Sequence, residues 1–139
     1  MSSDRGHVTR VTIPLRNRDM DVFGHVNQSV YHVFLEEVRT RAVKEVLRTE
    51  DVGFVVARVE LDHRHEVRIA DREVRAETWI GSVGRSSLEL HSRILVGAAE
   101  RVAVEARTIL VGWDHARRGS RPVTDEERGL LVAAGGSAS

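Results

Sequence analysis

The densest group of reactive side chains in this chain lies in the run Arg16-Asn17-Arg18-Asp19-Met20-Asp21-Val22-Phe23-Gly24-His25-Val26-Asn27. Two carboxylates, a histidine and an asparagine fall between Asp19 and Asn27, immediately ahead of a segment with helical periodicity. That position has chemical meaning. The first turn of a helix has N–H groups without intrahelical partners and carries a partial positive charge. Both favour a developing oxyanion, such as the tetrahedral intermediate of acyl transfer. A carboxylate held beside them can attack a carbonyl or take a proton from water. The same residue types also serve ordinary turn and capping chemistry, so composition alone leaves a structural reading of this loop open.

The elements that must position the cluster follow from periodicity. Val11, Ile13 and Leu15 alternate within Val8 to Leu15, a strand period. From Ser29 to Leu47 the period changes. Val30, Val33, Phe34, Val38, Ala42, Val46 and Leu47 recur at three- and four-residue steps, which predicts a long helix with one buried stripe, capped by Asn27 or Ser29. After Gly53 the pattern is that of strands: Phe54 to Leu61, Glu73 to Ser82, Ser87 to Val96 and Val102 to Trp113, with turns at Gly84 and at Gly97 to Arg101. Short spacers between alternating strands make antiparallel neighbours. Thr124 with Glu127 has the capping-box form and opens a terminal helix, over about 124–133. The ends, Met1 to Gly6 and Gly135 to Ser139, read as loose. The whole chain, 1–139, reads as one α+β domain with its core over about 8–115. An antiparallel sheet wrapped around one long helix is the hotdog arrangement. One helix and five strands leave an uncovered sheet edge, so the expected state is a homodimer or homotetramer with the site at the subunit interface.

Bulk composition narrows the function. The 139 residues carry 21 basic and 21 acidic side chains, and this zero net charge disfavours a nucleic-acid or anionic-membrane footprint. The absence of cysteine excludes a thiolate nucleophile and a thiolate zinc site. The start of the chain shows no signal-peptide pattern and no stretch has the apolar length of a membrane span, so a cytoplasmic protein is expected. Lys44 is the only lysine, so phosphate would be met by arginine forks. His63 and His65, two apart on one strand face with Asp62 and Glu66 nearby, are too few for a metal site, and no metal is expected.

Asp19-Met20-Asp21-Val22-Phe23-Gly24-His25-Val26-Asn27, then Tyr31 and Leu35-Glu36-Glu37-Val38-Arg39, resembles the 4-hydroxybenzoyl-CoA thioesterase family of hotdog proteins. The pattern there is D-x-D-x-x-G-H-V-N-N-x-x-Y followed by an E-E-A-R-like helix. Gln28 and Val38 depart from it, as do Glu66 and Ala70, where the family has Pro and Gly. The resemblance implies hydrolysis of an acyl-CoA thioester to a free acid and CoA, without a cofactor. It makes Asp21 the catalytic carboxylate, as nucleophile or general base, with His25 and Asn27 arranging the polar groups. Asp19 then orients the loop by accepting backbone N–H bonds. Gly24 admits a close backbone approach, and the N–H groups from Gly24 to Val26 are the expected oxyanion donors. Tyr31 is expected to line the acyl pocket, and Arg85, Ser86 and Ser87 to bind the CoA phosphates. Glu36 and Glu37 read as structural or interfacial, and Arg117, Arg118 and Arg121 as a solvated cluster. An acyl-ACP thioesterase, whose plant members share a similar motif, and a non-catalytic acyl-CoA-binding protein are the alternatives.

Overall fold

The structure, a computed structural model, describes residues 6–138. The order of elements matches the sequence periods. Strand β1 is Val8–Pro14, helix α1 Gln28–Leu47, β2 Phe54–His63, β3 Glu73–Val83, β4 Ser87–Val96, β5 Arg101–Asp114 and helix α2 Asp125–Ala133. Two short strands, β6 (Gly119–Ser120) and β7 (Ser137–Ala138), complete them. The antiparallel sheet runs β1-β3-β4-β5-β2. It curls around α1, which packs on β1, β3 and β4, and this is the hotdog fold.

The core follows the period-2 and period-3.6 faces. Tyr31, Phe34, Leu35 and Val38 of α1 meet Val11, Ile13, Val74, Ala76, Ile94 and Val104 of the sheet. Toward the far end of α1, Val43, Val46 and Leu47 meet Ile80, Leu88, Leu90 and Leu110, closed by Leu131 of α2. Val33 departs from the predicted stripe and is 55% exposed, because at 100° per residue it falls outside the arc that faces the sheet.

The C-terminal residues also depart from expectation. Ser137 and Ala138 are not loose but pair in parallel with Ser82 and Val83. The reason is local. Pairing of β1 with β3 reaches only to Trp79, so the last residues of β3 have a free edge that β7 fills. Met1 to Arg5 and Ser139, also expected to be loose, lie outside the described residues. Arg121 is not solvated: it donates to Glu127 Oε1 at 2.8 Å and to the Gly53 carbonyl at 2.8 Å.

Candidate active site

The loop from Leu15 to Asn27 is held by its own polar groups. Asp19, 1% exposed, accepts the Arg16 backbone N–H at 2.9 Å and the Arg16 guanidinium at 2.9 Å. Burial pushes the Asp19 carboxyl up, and its bonds with Arg16 outweigh this and leave it below the usual range. Its carbonyl takes the Asn27 N–H at 2.8 Å. Asp19 is therefore the anchor of the loop.

Asp21 stands half-buried within this frame. Its Oδ1 accepts the N–H of Phe23 at 2.8 Å and of His25 at 3.1 Å. Its Oδ2 takes no hydrogen bond from the described residues. One oxygen shapes the turn and the other is unengaged. Asp21 lines a cavity of about 420 Å³ with His25, Val26, Gln28, Tyr31 and the segment His63 to Glu66. The Tyr31 hydroxyl takes the Val67 backbone N–H; burial raises its pKa, and that bond opposes the rise. The Tyr31 ring meets His63 edge-on, with centroids 5.2 Å apart.

His25 Nε2 lies 2.7 Å from Glu66 Oε2. Glu66 also takes the Arg68 guanidinium at 2.6 Å, and this hydrogen bond holds its carboxyl below the usual range. The ring of His25 is thus tied to a carboxylate from the β2–β3 connection. Sequence reasoning noted Glu66 as a departure from the family pattern. It missed the pairing, which depends on two loops meeting.

The other candidate residues take the following positions. At Gly24 a Cβ would meet nothing within 4 Å, so the chain itself leaves open space there. Glycine is needed because φ is +79°, a conformation glycine adopts without strain. The predicted oxyanion donors are already engaged. Gly24 N–H bonds the Asp21 carbonyl at 3.1 Å, His25 N–H the Asp21 carboxylate, and Val26 N–H the Val67 carbonyl at 2.9 Å. Downstream of them, the N–H of Gln28, the first residue of α1, has no acceptor among the described residues. Asn27 is the N-cap: its Oδ1 accepts the Ser29 N–H at 3.1 Å, and it is not on the cavity wall. Finally, Arg85 and Ser86 lie in the β3–β4 turn and Ser87 opens β4, at the end of the sheet away from Asp21. The nine residue steps from Val74 to Val83 make the separation roughly 30 Å along the strand, so one copy of the chain does not bring these groups to Asp21.

Among the described residues no group of three or more His, Asp or Glu is placed to hold a metal ion. No helix is long and apolar enough to cross a membrane.

A family model described as "Thioesterase-like superfamily" matches residues 15–131. No curated protein matches the sequence. Solved structures do. A thioesterase from Thermus thermophilus, crystallised with coenzyme A and Zn, is 27% identical with a TM-score of 0.82, over 91% of this chain and 93% of that one. The PA2801 protein from Pseudomonas aeruginosa is 31% identical with a TM-score of 0.75, over 88% and 97%. Slr0204, a 1,4-dihydroxy-2-naphthoyl-CoA thioesterase from Synechocystis, has a TM-score of 0.75 over 91% and 96%, and at 12% identity shows the shared fold alone.

Proposed function

The chain belongs to the thioesterase-like superfamily and is a thioester hydrolase, and we propose that it hydrolyses acyl-CoA thioesters at Asp21, releasing a free acid and CoA. The observation that carries this reading is the unengaged Oδ2 of Asp21 on a cavity wall that also includes Gln28, whose N–H has no acceptor among the described residues.

In this reading the thioester oxygen accepts the Gln28 N–H. There the partial positive charge of the helix start opposes the developing negative charge. Asp21 Oδ2 works by one of two routes. It removes a proton from a water that adds to the carbonyl carbon, or it adds to that carbon itself and forms a mixed anhydride that water cleaves. In both, the C–S bond breaks, CoA leaves as the thiolate and takes up a proton, and the acid is released. Single-turnover hydrolysis in heavy-oxygen water separates them, since label enters the Asp21 carboxylate only by the second route. Glu66 holds His25 where its ring meets the water or the thioester oxygen. Tyr31 and His63 wall the acyl group. Asn27 acts by fixing the start of α1. The reaction uses water and these residues and calls for no cofactor.

The site is completed, in this reading, by a second copy of the chain, in a homodimer or homotetramer. Val22 is 94% and Phe23 79% exposed at the tip of the site loop, apolar surface that an interface would cover. Arg85, Ser86 and Ser87 meet the CoA phosphates only if they come from another copy. The other surface observation is the edge strand β2, whose residues from Val55 to Arg58 are exposed.

The test is thiol release from short, long and aromatic acyl-CoAs, with acyl carrier protein thioesters in parallel. Turnover of one or more CoA thioesters is expected. Turnover confined to the carrier-protein thioesters assigns the acyl-ACP alternative. Acyl-CoA binding without turnover identifies a non-catalytic binding protein.

A further inference from the structure

β2 leads from the site toward a second, separate cavity. From His63 on the cavity wall, the part-buried Leu61 and Val59 occupy alternate positions along β2 toward Phe54. At that end lies a second cavity of about 250 Å³, whose wall includes Val43, Val52, Phe54 and Leu110 together with Arg39 and Glu36. Arg39 does not fit this apolar setting. It is only 8% exposed, and its Nη1 is buried without a hydrogen-bond partner. Glu36, one turn earlier on the same wall, makes no ion pair with it among the described residues. A guanidinium stays charged in proteins, and a buried charge left unpaired is strongly unfavourable. Within the described residues Nη1 has no acceptor, and Glu36 offers the guanidinium charge attraction but no hydrogen bond, so an acceptor from outside would complete it. The fork of a guanidinium matches a carboxylate. The other walls are mostly aliphatic and aromatic, so that carboxylate must arrive on an apolar stem.

We propose that the acyl chain runs between α1 and β2 from the first cavity to the second and that Arg39 binds a carboxylate at its far end, so that the enzyme prefers CoA thioesters of dicarboxylic acids to those of plain fatty acids. The inference rests on the thioesterase reading above. Arg39 lies eleven residues beyond Gln28 on α1, about 16 Å along the axis, which selects a medium-length chain.

Wild type, Arg39→Met and Arg39→Lys are compared on pairs of CoA thioesters, hexanoyl to tetradecanoyl, each matched with its ω-carboxy counterpart. Wild type should favour the ω-carboxy member of a medium-length pair by about tenfold or more in kcat/KM, the worth of a hydrogen bond to a charged group. The preference should vanish in Arg39→Met and survive in part in Arg39→Lys. Methionine removes an unpaired buried charge at similar length, so folding is retained. Binding of free decanedioate and of decanoate is measured in parallel by calorimetry, without thioester. Arg39-dependent binding of decanedioate in a protein that hydrolyses no CoA thioester upholds the carboxylate site and removes only the thioesterase reading. Equal kcat/KM within every pair in wild type overturns the proposal. So does an Arg39→Met protein that keeps the preference but forms a smaller species by light scattering, which would give Arg39 to contact with a second copy.

Discussion

Asparagine and alanine at Asp21 separate two jobs that the proposed function gives to one side chain. Oδ1 accepts the N–H groups of Phe23 and His25, and Oδ2 is unengaged. In Asp21→Asn the amide oxygen keeps both turn bonds, and only the charge and the second oxygen are lost. Stability should change by less than about 1 kcal/mol, since the turn is partly solvated and each such bond is worth about 0.5–1.5 kcal/mol. The chemical step should suffer far more, because a positioned base contributes roughly 10²–10⁴-fold. Asp21→Ala removes both functions. It should lose the same turnover and a further 1–2 kcal/mol or so of stability, as two backbone donors lose their acceptor. Thiol-release kinetics and thermal unfolding on the same preparations test this directly. Asp21→Asn with kcat within about tenfold of wild type, a deficit of only about 1.4 kcal/mol in barrier, would refute the assignment of the carboxylate. Two variants that are equally inactive and equally unstable would show that Asp21 serves the loop alone.

Other perturbations read neighbouring parts of the structure. Asn27→Ala removes the cap of α1 and should cost about 1 kcal/mol of stability, seen by denaturant titration. A loss of kcat as large as that of Asp21→Asn would return Asn27 to the chemistry. Glu66→Gln keeps an acceptor for His25, whereas Glu66→Ala does not. The alanine variant should lose between about tenfold and a hundredfold in kcat through misplacement of the ring. Because the pair is half-exposed, stability should move by less than about 1 kcal/mol, and equal kcat in the two variants would argue against positioning. Glu77, 1% exposed, lies against Arg10 and accepts from Arg93 Nε at 2.7 Å. Burial pushes its carboxyl up, and the bond and charge of Arg93, with Arg10, outweigh this and leave it below the usual range. Its stabilisation is therefore complete above the unfolded value near pH 4.3 or so and fades as pH falls through the folded value. Wild type should lose thermal stability on acidification through that window, and Glu77→Gln should flatten the slope; identical slopes would contradict the pairing.

Local pattern determined much of this protein. Alternation in β1, β3, β4 and β5 and the three- and four-residue steps of α1 each report a burial face that a single element imposes on its own side chains. The capping box of Thr124 and Glu127 formed as read, because its partners lie three residues apart. Asp19 as loop anchor and Asn27 as cap were legible for the same reason. What escaped depends on residues distant in sequence. Which loop N–H groups are engaged was decided in part by the Val67 carbonyl, which takes that of Val26. The His25–Glu66 pair needs the β2–β3 connection to reach the site loop. Sheet register puts Arg85 at one end and Asp21 at the other, although each sits in a plausible motif. The buried face of α1 holds a charge at Arg39 that no periodicity announces. Sequence thus set the elements, the faces and the reactive loop, since these follow from short-range sterics and burial. Tertiary structure chose which polar groups were satisfied, because a group finds only the partners that the packed fold brings within reach.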